Sequence, residues 1–173
     1  YDKFKNLYLK GREGKHGAGS YDENGELKSV VVNTDEWRDL FPEYVGTNSP
    51  DVHEASSFLN KKLWAEALNT MKGKGNNTVV VLAGGGGSGK GTAVSSFFDE
   101  SQYPIRLDQV SDAVEKLENK LDEAIANGYK AEYVFIDRSP KDAFMNGVIS
   151  RAVNSRNKGE IARTVPLHIA LKA

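Results

Sequence analysis

The stretch from Val79 to Thr92, VVVLAGGGGSGKGT, constrains this chain more than any other. It begins with four apolar residues and a small one before glycine, which is the pattern of a strand buried on both faces of a parallel sheet. The glycines that follow can adopt positive φ angles and can turn several backbone N–H groups toward one point. Lys90 adds a cation, and a helix that begins there would add the positive end of its dipole. The pattern therefore predicts a strand, a phosphate-binding loop and a helix in succession.

The spacing Gly84-x4-Gly89-Lys90 fits the P-loop pattern, in which Ser or Thr usually follows the lysine. Here Gly91 follows the lysine and Thr92 comes next, and this ending resembles that of small-molecule and nucleotide monophosphate kinases. A flexible glycine linker would need neither the preceding strand nor the lysine. We predict that ATP or GTP binds through its phosphates to the residues of this loop, which are Gly84, Gly85, Gly86, Gly87, Ser88, Gly89, Lys90, Gly91 and Thr92.

Composition narrows the class of protein. The chain has 173 residues, a formal net charge of −1 and no cysteine. We expect one domain over 1–173, with a polar N-terminal extension and hairpin over 1–28. The charge balance gives no reason to expect nucleic-acid binding, and the apolar runs are too short to span a membrane. The lack of cysteine excludes disulfides and thiolate metal sites. A cytoplasmic location is the expectation.

Strand and helix patterns alternate along the chain. Strands are predicted at 30–32, 79–82, 105–108, 133–136 and near 164–169, and helices at 49–72, 92–98, 110–125 and 140–151. Such alternation implies a mostly parallel sheet with helices on both faces. The expected fold class is therefore α/β, a three-layer P-loop NTPase fold of the kinase-like kind.

Acidic residues follow three of the predicted strands, at Asp35, Asp108 and Asp137. Ligands of an open α/β sheet bind at the carboxyl ends of its strands. One of these acids could therefore activate an acceptor hydroxyl, and another could hold Mg²⁺; Thr92 and Asp108 are the candidate metal ligands. Each acid could instead cap a helix or lie in a solvated turn. That alternative is strongest for Asp137, which Arg138-Ser139-Pro140 follows.

Basic residues gather near the end of the chain, within a predicted loop over 154–163 and the residues before it: Arg151, Arg156, Lys158 and Arg163. Phosphoryl transfer needs cations over the transferring oxygens, and a closing basic lid over 150–164 would supply them. A solvated charged loop would have the same composition.

Several segments together resemble the zeta-toxin family of P-loop kinases. NTDEWRDLFPEY at 33–44 is similar to the family's segment with an Asp, an Arg shortly after it and a Pro-x-Tyr, and VHEASS at 52–57 resembles the helix that follows. GYK at 128–130 with the strand to Asp137, the stretch 140–151 and ARTVP at 162–166 resemble its later strand, helix and arginine lid. The resemblance covers roughly residues 30–167.

This resemblance implies a kinase that uses ATP or GTP, with Mg²⁺, to phosphorylate the 3′-hydroxyl of UDP-N-acetylglucosamine. It implies that Asp35 is the base that activates the acceptor and that Lys90 clamps the phosphates. Arg151 and Arg163 would stabilise the transferring charge. The residues expected near the acceptor are Arg38, His53, Glu54 and Asp108. An antitoxin-like inhibitor or fused domains would be the corresponding protein partners.

The chain departs from the family pattern in two ways. The Asp-x-x-Arg segment at Asp35 precedes the P-loop, whereas it normally follows it, which suggests the circularly permuted order of phage- and plasmid-associated relatives. The family also tends to place Gly-Thr after the acid at the position of Asp108, where this chain has Gln109-Val110. The acceptor is therefore open between a nucleotide sugar and another small molecule.

Two alternative functions remain. A polynucleotide or nucleotide kinase would use the same loop, although the chain lacks net positive charge and clustered stacking aromatics. A non-catalytic nucleotide-binding module of a larger phage- or plasmid-type protein would bind the nucleotide without transferring phosphate.

Overall fold

The computed structural model describes residues 1–12, 15–109, 114–160 and 162. The helices of this part are α1 (Asp2–Lys10), α2 (Thr34–Arg38), α3 (Ser49–Thr70), α4 (Lys90–Phe97), α5 (Val114–Ala126), α6 (Pro140–Asp142) and α7 (Ser150–Asn157), with a π-helical segment, Ala143–Ile149, between the last two. The strands are β1 (Gly11–Arg12), β2 (Lys15–His16), β3 (Gly19–Tyr21), β4 (Leu27–Asn33), β5 (Thr78–Ala83), β6 (Ile105–Asp108) and β7 (Lys130–Phe135).

Five strands form the main sheet, in the spatial order β3-β4-β6-β5-β7. The hairpin partners β3 and β4 are antiparallel, and every other neighbouring pair is parallel. Asp108, at the end of β6, pairs in register with Asn33 of β4 and with Leu82 of β5. The carboxyl ends of these three strands therefore meet at one edge, and the predicted mostly parallel sheet is confirmed.

Side chains of β5 alternate between two cores, because successive residues of a strand point to opposite faces. Val79 and Val81 pack in a core that includes residues of α1, α3 and α5. Val80 and Leu82 pack in a second core with Ala93 of α4. All of β5 is buried, and helices lie on both faces of the sheet, as the alternating pattern predicts.

The order of the strands in space differs from their order in the chain. The segment that ends in β4 comes before β5 in sequence, yet β4 lies two strands away from β5 with β6 between them. Because β4, β6 and β5 are parallel, the residues that follow β4 and the residues that follow β5 nevertheless leave the sheet at the same edge.

The N-terminal region contains more structure than the sequence predicts. A polar extension is the expectation there, but residues 2–10 form helix α1, which buries Tyr8 and Leu9 against the sheet. Its apolar residues, Phe4, Leu7, Tyr8 and Leu9, form a pattern of fewer than two turns among lysines, which is too short to predict α1 without its contacts to the sheet. The hairpin signal Asn24-Gly25 does lie in the turn between β3 and β4, where Gly25 has a φ of 78°.

Two further predictions about the second half of the chain are wrong. The strand predicted at 133–136 is present as β7, but the prediction that it is buried is wrong. Among the described residues β7 pairs only with β5, and Tyr133 and Phe135 are 43 % and 51 % exposed. The loop predicted from Asn154 is helical as far as Asn157. The predicted strand near 164–169 lies outside the described residues.

No helix in the described part of the chain combines the length and the apolar character that crossing a bilayer requires.

Helix α3 offers a direct test of this packing, because Leu63 is 1 % exposed in the core and Phe58, on the same helix, is 64 % exposed. We expect Leu63→Ala to lower the free energy of unfolding by about 2–5 kcal/mol through lost burial and a cavity. Phe58→Ala is the matched control and should change it by less than about 1 kcal/mol. Urea unfolding measures both. Equal losses would contradict the assignment of the two faces of α3.

Candidate functional site

The glycine loop, residues 84–89, connects the end of β5 to the start of α4. Gly84, Gly87 and Gly89 have φ angles of 146°, 80° and 104°, which side-chain-bearing residues rarely adopt. A Cβ on Gly84 would also collide with the carbonyl oxygen of Ile136. Glycine at these three positions is therefore a requirement of the loop's backbone path.

Lys90, the first residue of α4, is buried, and its Nζ donates hydrogen bonds to the carbonyl oxygens of Gly84 (2.8 Å) and Gly85 (2.9 Å). Burial lowers the pKa of this ammonium, and the carboxylates of Asp108 and Asp35 oppose the change. The guanidinium of Arg151 lowers the pKa further. Four predicted site residues thus lie close enough to influence one another electrostatically.

Asp108 ends β6, the strand beside β5. Burial raises its pKa from the ordinary 3.8 to about 6; Lys90 acts in the opposite direction, and the nearby Asp35 and Glu36 add to the increase. Its Oδ2 accepts a hydrogen bond of 3.1 Å from Nδ2 of Asn33. The carboxyl group therefore lies between the cation of the glycine loop and the acids that follow β4.

Asp35, Arg38 and His53 form a connected group beside Asp108. The Arg38 guanidinium contacts Oδ1 of Asp35 at 2.7 Å and Nδ1 of His53 at 2.9 Å. Since arginine can only donate, Nδ1 of His53 is the acceptor and its ring proton lies on Nε2. Glu54 is exposed on α3 next to His53. Of the residues predicted near the acceptor, the structure thus places Arg38 and His53 against Asp35.

The remaining predicted residues are more dispersed. Arg151 is exposed on α7, and Thr92 is exposed on α4. Asp137 is exposed after β7 and is not the cap of the next helix, because Ser139 Oγ accepts the Asp142 N–H at 3.4 Å. Arg163 lies outside the described residues, as does part of the predicted lid.

The π-helical segment rests directly on the glycine loop. A Cβ on Gly147 would collide with the Gly87 carbonyl and would lie 2.7 Å from its Cα. Arg138 Nη1 also donates to the Gly87 carbonyl oxygen, at 3.3 Å. These contacts join the glycine loop to the helical stretch that carries Arg151. Sequence reasoning missed Gly147, although a glycine inside a helical pattern often marks a close approach of two backbones.

A cavity of about 490 Å³ opens on the α4 side of the glycine loop. It is mostly apolar, and its lining residues are Gly89, Thr92, Ala93, Phe97, Phe98, Val134, Ile136 and Arg138. Neither Asp35 nor Asp108 lines it.

Asn33 is the second residue that sequence reasoning missed. It is the N-cap of α2, and its Oδ1 accepts the Asp35 N–H at 2.8 Å. An asparagine directly before a helix is a recognisable cap signal. Its contact with Asp108 depends on the pairing of β4 with β6, which the sequence does not show.

Comparison with known proteins adds no relative. No protein-family model matches the chain, and no curated protein matches it significantly. Function must therefore be inferred from the site itself, which combines backbone N–H groups and cations at the glycine loop with carboxylates at the neighbouring strand ends.

Contact between Gly147 and Gly87 predicts a sharp difference between two glycine variants. Gly147→Ala should lower the free energy of unfolding by about 1–3 kcal/mol, because the added methyl group forces the loop and helix apart. Gly91→Ala is the control, since none of the described residues comes within 4 Å of a Cβ built there. It should leave stability unchanged or raise it by up to about 1 kcal/mol. Thermal unfolding of both variants measures the difference. A Gly147→Ala variant as stable as the natural chain would contradict the contact between Gly147 and Gly87.

The raised pKa of Asp108 predicts a pH dependence of stability. Ionisation of this carboxyl costs more in the folded chain than in the unfolded one, so its penalty is absent below about pH 4 and complete above about pH 6. Asp108→Asn removes the penalty. We expect its stability relative to the natural chain to rise by about 1–3 kcal/mol between pH 4 and pH 7.5.

Urea unfolding across that pH range measures the effect. Asp137→Asn, which removes an exposed acid that follows β7, is the control. A constant difference between Asp108→Asn and the natural chain would contradict the burial of this carboxyl.

Proposed function

We propose that this chain is a P-loop phosphotransferase that moves the γ-phosphate of ATP or GTP to a hydroxyl group. A nucleotide sugar similar to UDP-N-acetylglucosamine is the first candidate acceptor. The observation that supports this most is geometric: the glycine loop with Lys90, Asp108 and the turn that carries Asp35 follow three adjacent parallel strands at one edge of the sheet. This arrangement would offer a cation to a phosphate and carboxylates to an acceptor.

The donor half of the site is the glycine loop with Lys90. Its Nζ donates to the carbonyl oxygens of Gly84 and Gly85 and would add the β- and γ-phosphates as partners. The amino end of α4 favours the same negative charge. The guanidinium of Arg151, on α7, would neutralise charge on the transferring phosphoryl group.

Thr92 and Asp108 would hold Mg²⁺, which supplies positive charge to the phosphate oxygens when bound. The residues fit this ion: both offer oxygen ligands, and Mg²⁺ commonly takes only one or two from the protein, with phosphate and water completing its shell.

The acceptor half is Asp35 with its partners. Arg38 contacts Oδ1 of Asp35 at 2.7 Å, which holds the carboxylate in place. The acceptor oxygen would form a bond to the γ-phosphorus as the bond from that phosphorus to the bridging β–γ oxygen breaks. Its proton would pass to Asp35, and the nucleoside diphosphate would leave.

The spatial arrangement of β4 and β5 supports the permuted-kinase part of the proposal. Residues that follow β4 supply Asp35, and the glycine loop follows β5, with Asp108 between them at the end of β6. These three strand ends would form the same neighbourhood whichever segment came first in the chain. A circularly permuted zeta-toxin-like kinase would retain its site for this reason.

Two substitutions test this function. Lys90→Ala should weaken Mg-ATP binding and lower transfer at least about 100-fold, because it removes the buried ammonium group that would contact the phosphates. Asp35→Asn should lower transfer about 100- to 10,000-fold but leave the Kd for Mg-ATP within about twofold, because the proposed role of Asp35 is to accept the acceptor's proton rather than to contact the nucleotide. Lys61→Ala, which removes an exposed lysine of α3, is the control.

The measurement uses γ-labelled ATP with UDP-N-acetylglucosamine, a nucleotide panel and RNA with free 5′-hydroxyl ends, alongside calorimetric binding. Labelled RNA as the only product would favour a polynucleotide kinase. Tight nucleotide binding without any labelled product would contradict the transferase and indicate a nucleotide-binding module.

A further inference from the structure

We propose that Asn33 is a positioning residue of this site, whose single side-chain amide fixes the Asp108 carboxylate and the Asp35 backbone relative to each other. Its effect on phosphoryl transfer rests on the function proposed above. Its effect on the geometry does not, because that follows from the contacts of the folded chain alone.

The two hydrogen bonds of the Asn33 side chain lie at opposite ends of one planar group. Nδ2 donates to Asp108 Oδ2 at 3.1 Å, and Oδ1 accepts the Asp35 N–H at 2.8 Å. The amide cannot rotate without losing both bonds. The carboxyl end of β6 and the first turn of α2 are therefore held at a fixed separation.

A hydrogen bond to the Tyr8 hydroxyl holds the backbone of Asn33 in place. The Tyr8 hydroxyl accepts the Asn33 N–H at 2.8 Å and donates to the Val31 carbonyl oxygen at 2.8 Å. Its ring is buried and stacks on Trp37, a buried residue of α2, with 4.1 Å between ring centroids. Helix α1 thus restrains both the end of β4 and the helix that carries Asp35.

Only an amide meets both requirements at this position. A carboxylate could accept the Asp35 N–H but could not donate to Asp108, and it would add negative charge beside a buried acid. A serine hydroxyl could cap α2 but is too short to reach Asp108 as well. Ordinary helix capping is served equally by Asn, Asp or Ser. The bond to Asp108 is therefore what distinguishes positioning from capping.

These differences make three variants informative. Asn33→Ser and Asn33→Asp retain the cap but lose the donor to Asp108, whereas Asn33→Ala loses both interactions. We expect the first two to keep the Asp35 amide protected from hydrogen exchange. Asn33→Ser should also keep the thermal midpoint within a few degrees, whereas Asn33→Asp should lower it near neutral pH, because its carboxylate lies beside Asp108. Asn33→Ala should lose that protection. Asn69→Ser, an exposed asparagine of α3, is the control.

In transfer assays with γ-labelled ATP and UDP-N-acetylglucosamine, Asn33→Ser and Asn33→Asp should lower kcat at least tenfold and leave the KM for ATP within twofold. A role confined to folding would not produce this separation. Unchanged kcat in Asn33→Ser would overturn the catalytic consequence of the positioning.

A second measurement decides the geometry even if the natural chain transfers no phosphate. The Asn33 side-chain NH₂ signals should move in the NMR spectrum of Asp108→Ala and should stay in place in Asp137→Asn. Signals that are the same in the natural chain and in Asp108→Ala would overturn the proposal. Failure of transfer with the expected NMR change would reject the proposed function but retain the positioning role.

Discussion

The parallel pairing of β6 with both β4 and β5 is the constraint on which the whole site depends. The register of the parallel sheet makes Asp108 the partner of Asn33 in β4 on one side and of Leu82 in β5 on the other. The glycine loop, Asp108 and the turn to α2 therefore emerge together. A slip of one residue in β6 would turn Asp108 to the opposite face and separate it from Asn33.

Burial gives the charged residues of this edge their chemical character. A cation and carboxylates that were fully exposed would be screened by water, whereas here Lys90 and Asp108 have displaced pKa values with burial as the largest cause. Lys90 recovers part of the free-energy cost of burying its charge by donating hydrogen bonds to two loop carbonyl groups. Asp108 recovers part of its own cost by accepting a hydrogen bond from Asn33. The loop, the strand ends and α2 are thereby linked through hydrogen bonds rather than through apolar contact alone.

Local patterns account for the parts of the fold that were predictable. Apolar residues before glycine predict β5 and its loop, and apolar residues at helical spacing predict α3, because those signals depend on neighbouring residues only. The strand at 105–108 is short and contains Arg106, yet it lies inside the sheet because both neighbours bury it. Helix α1 and the edge position of β7 depend on tertiary contacts, so sequence periodicity does not reveal them. For the site, the sequence indicates the residue types, whereas the contact of Asn33 with Asp108 and of Gly147 with Gly87 requires the folded arrangement.

The most direct test of the central claim is a crystal structure with Mg²⁺ and a non-hydrolysable ATP analogue. We expect the β- and γ-phosphates to lie in the glycine loop against Lys90, with Asp35 on the open side of the γ-phosphate and Arg151 directed toward it. A nucleotide bound elsewhere would rule out the proposed donor site. A γ-phosphate in the loop with Asp35 too far away to share an acceptor hydroxyl with it would rule out the proposed role of Asp35.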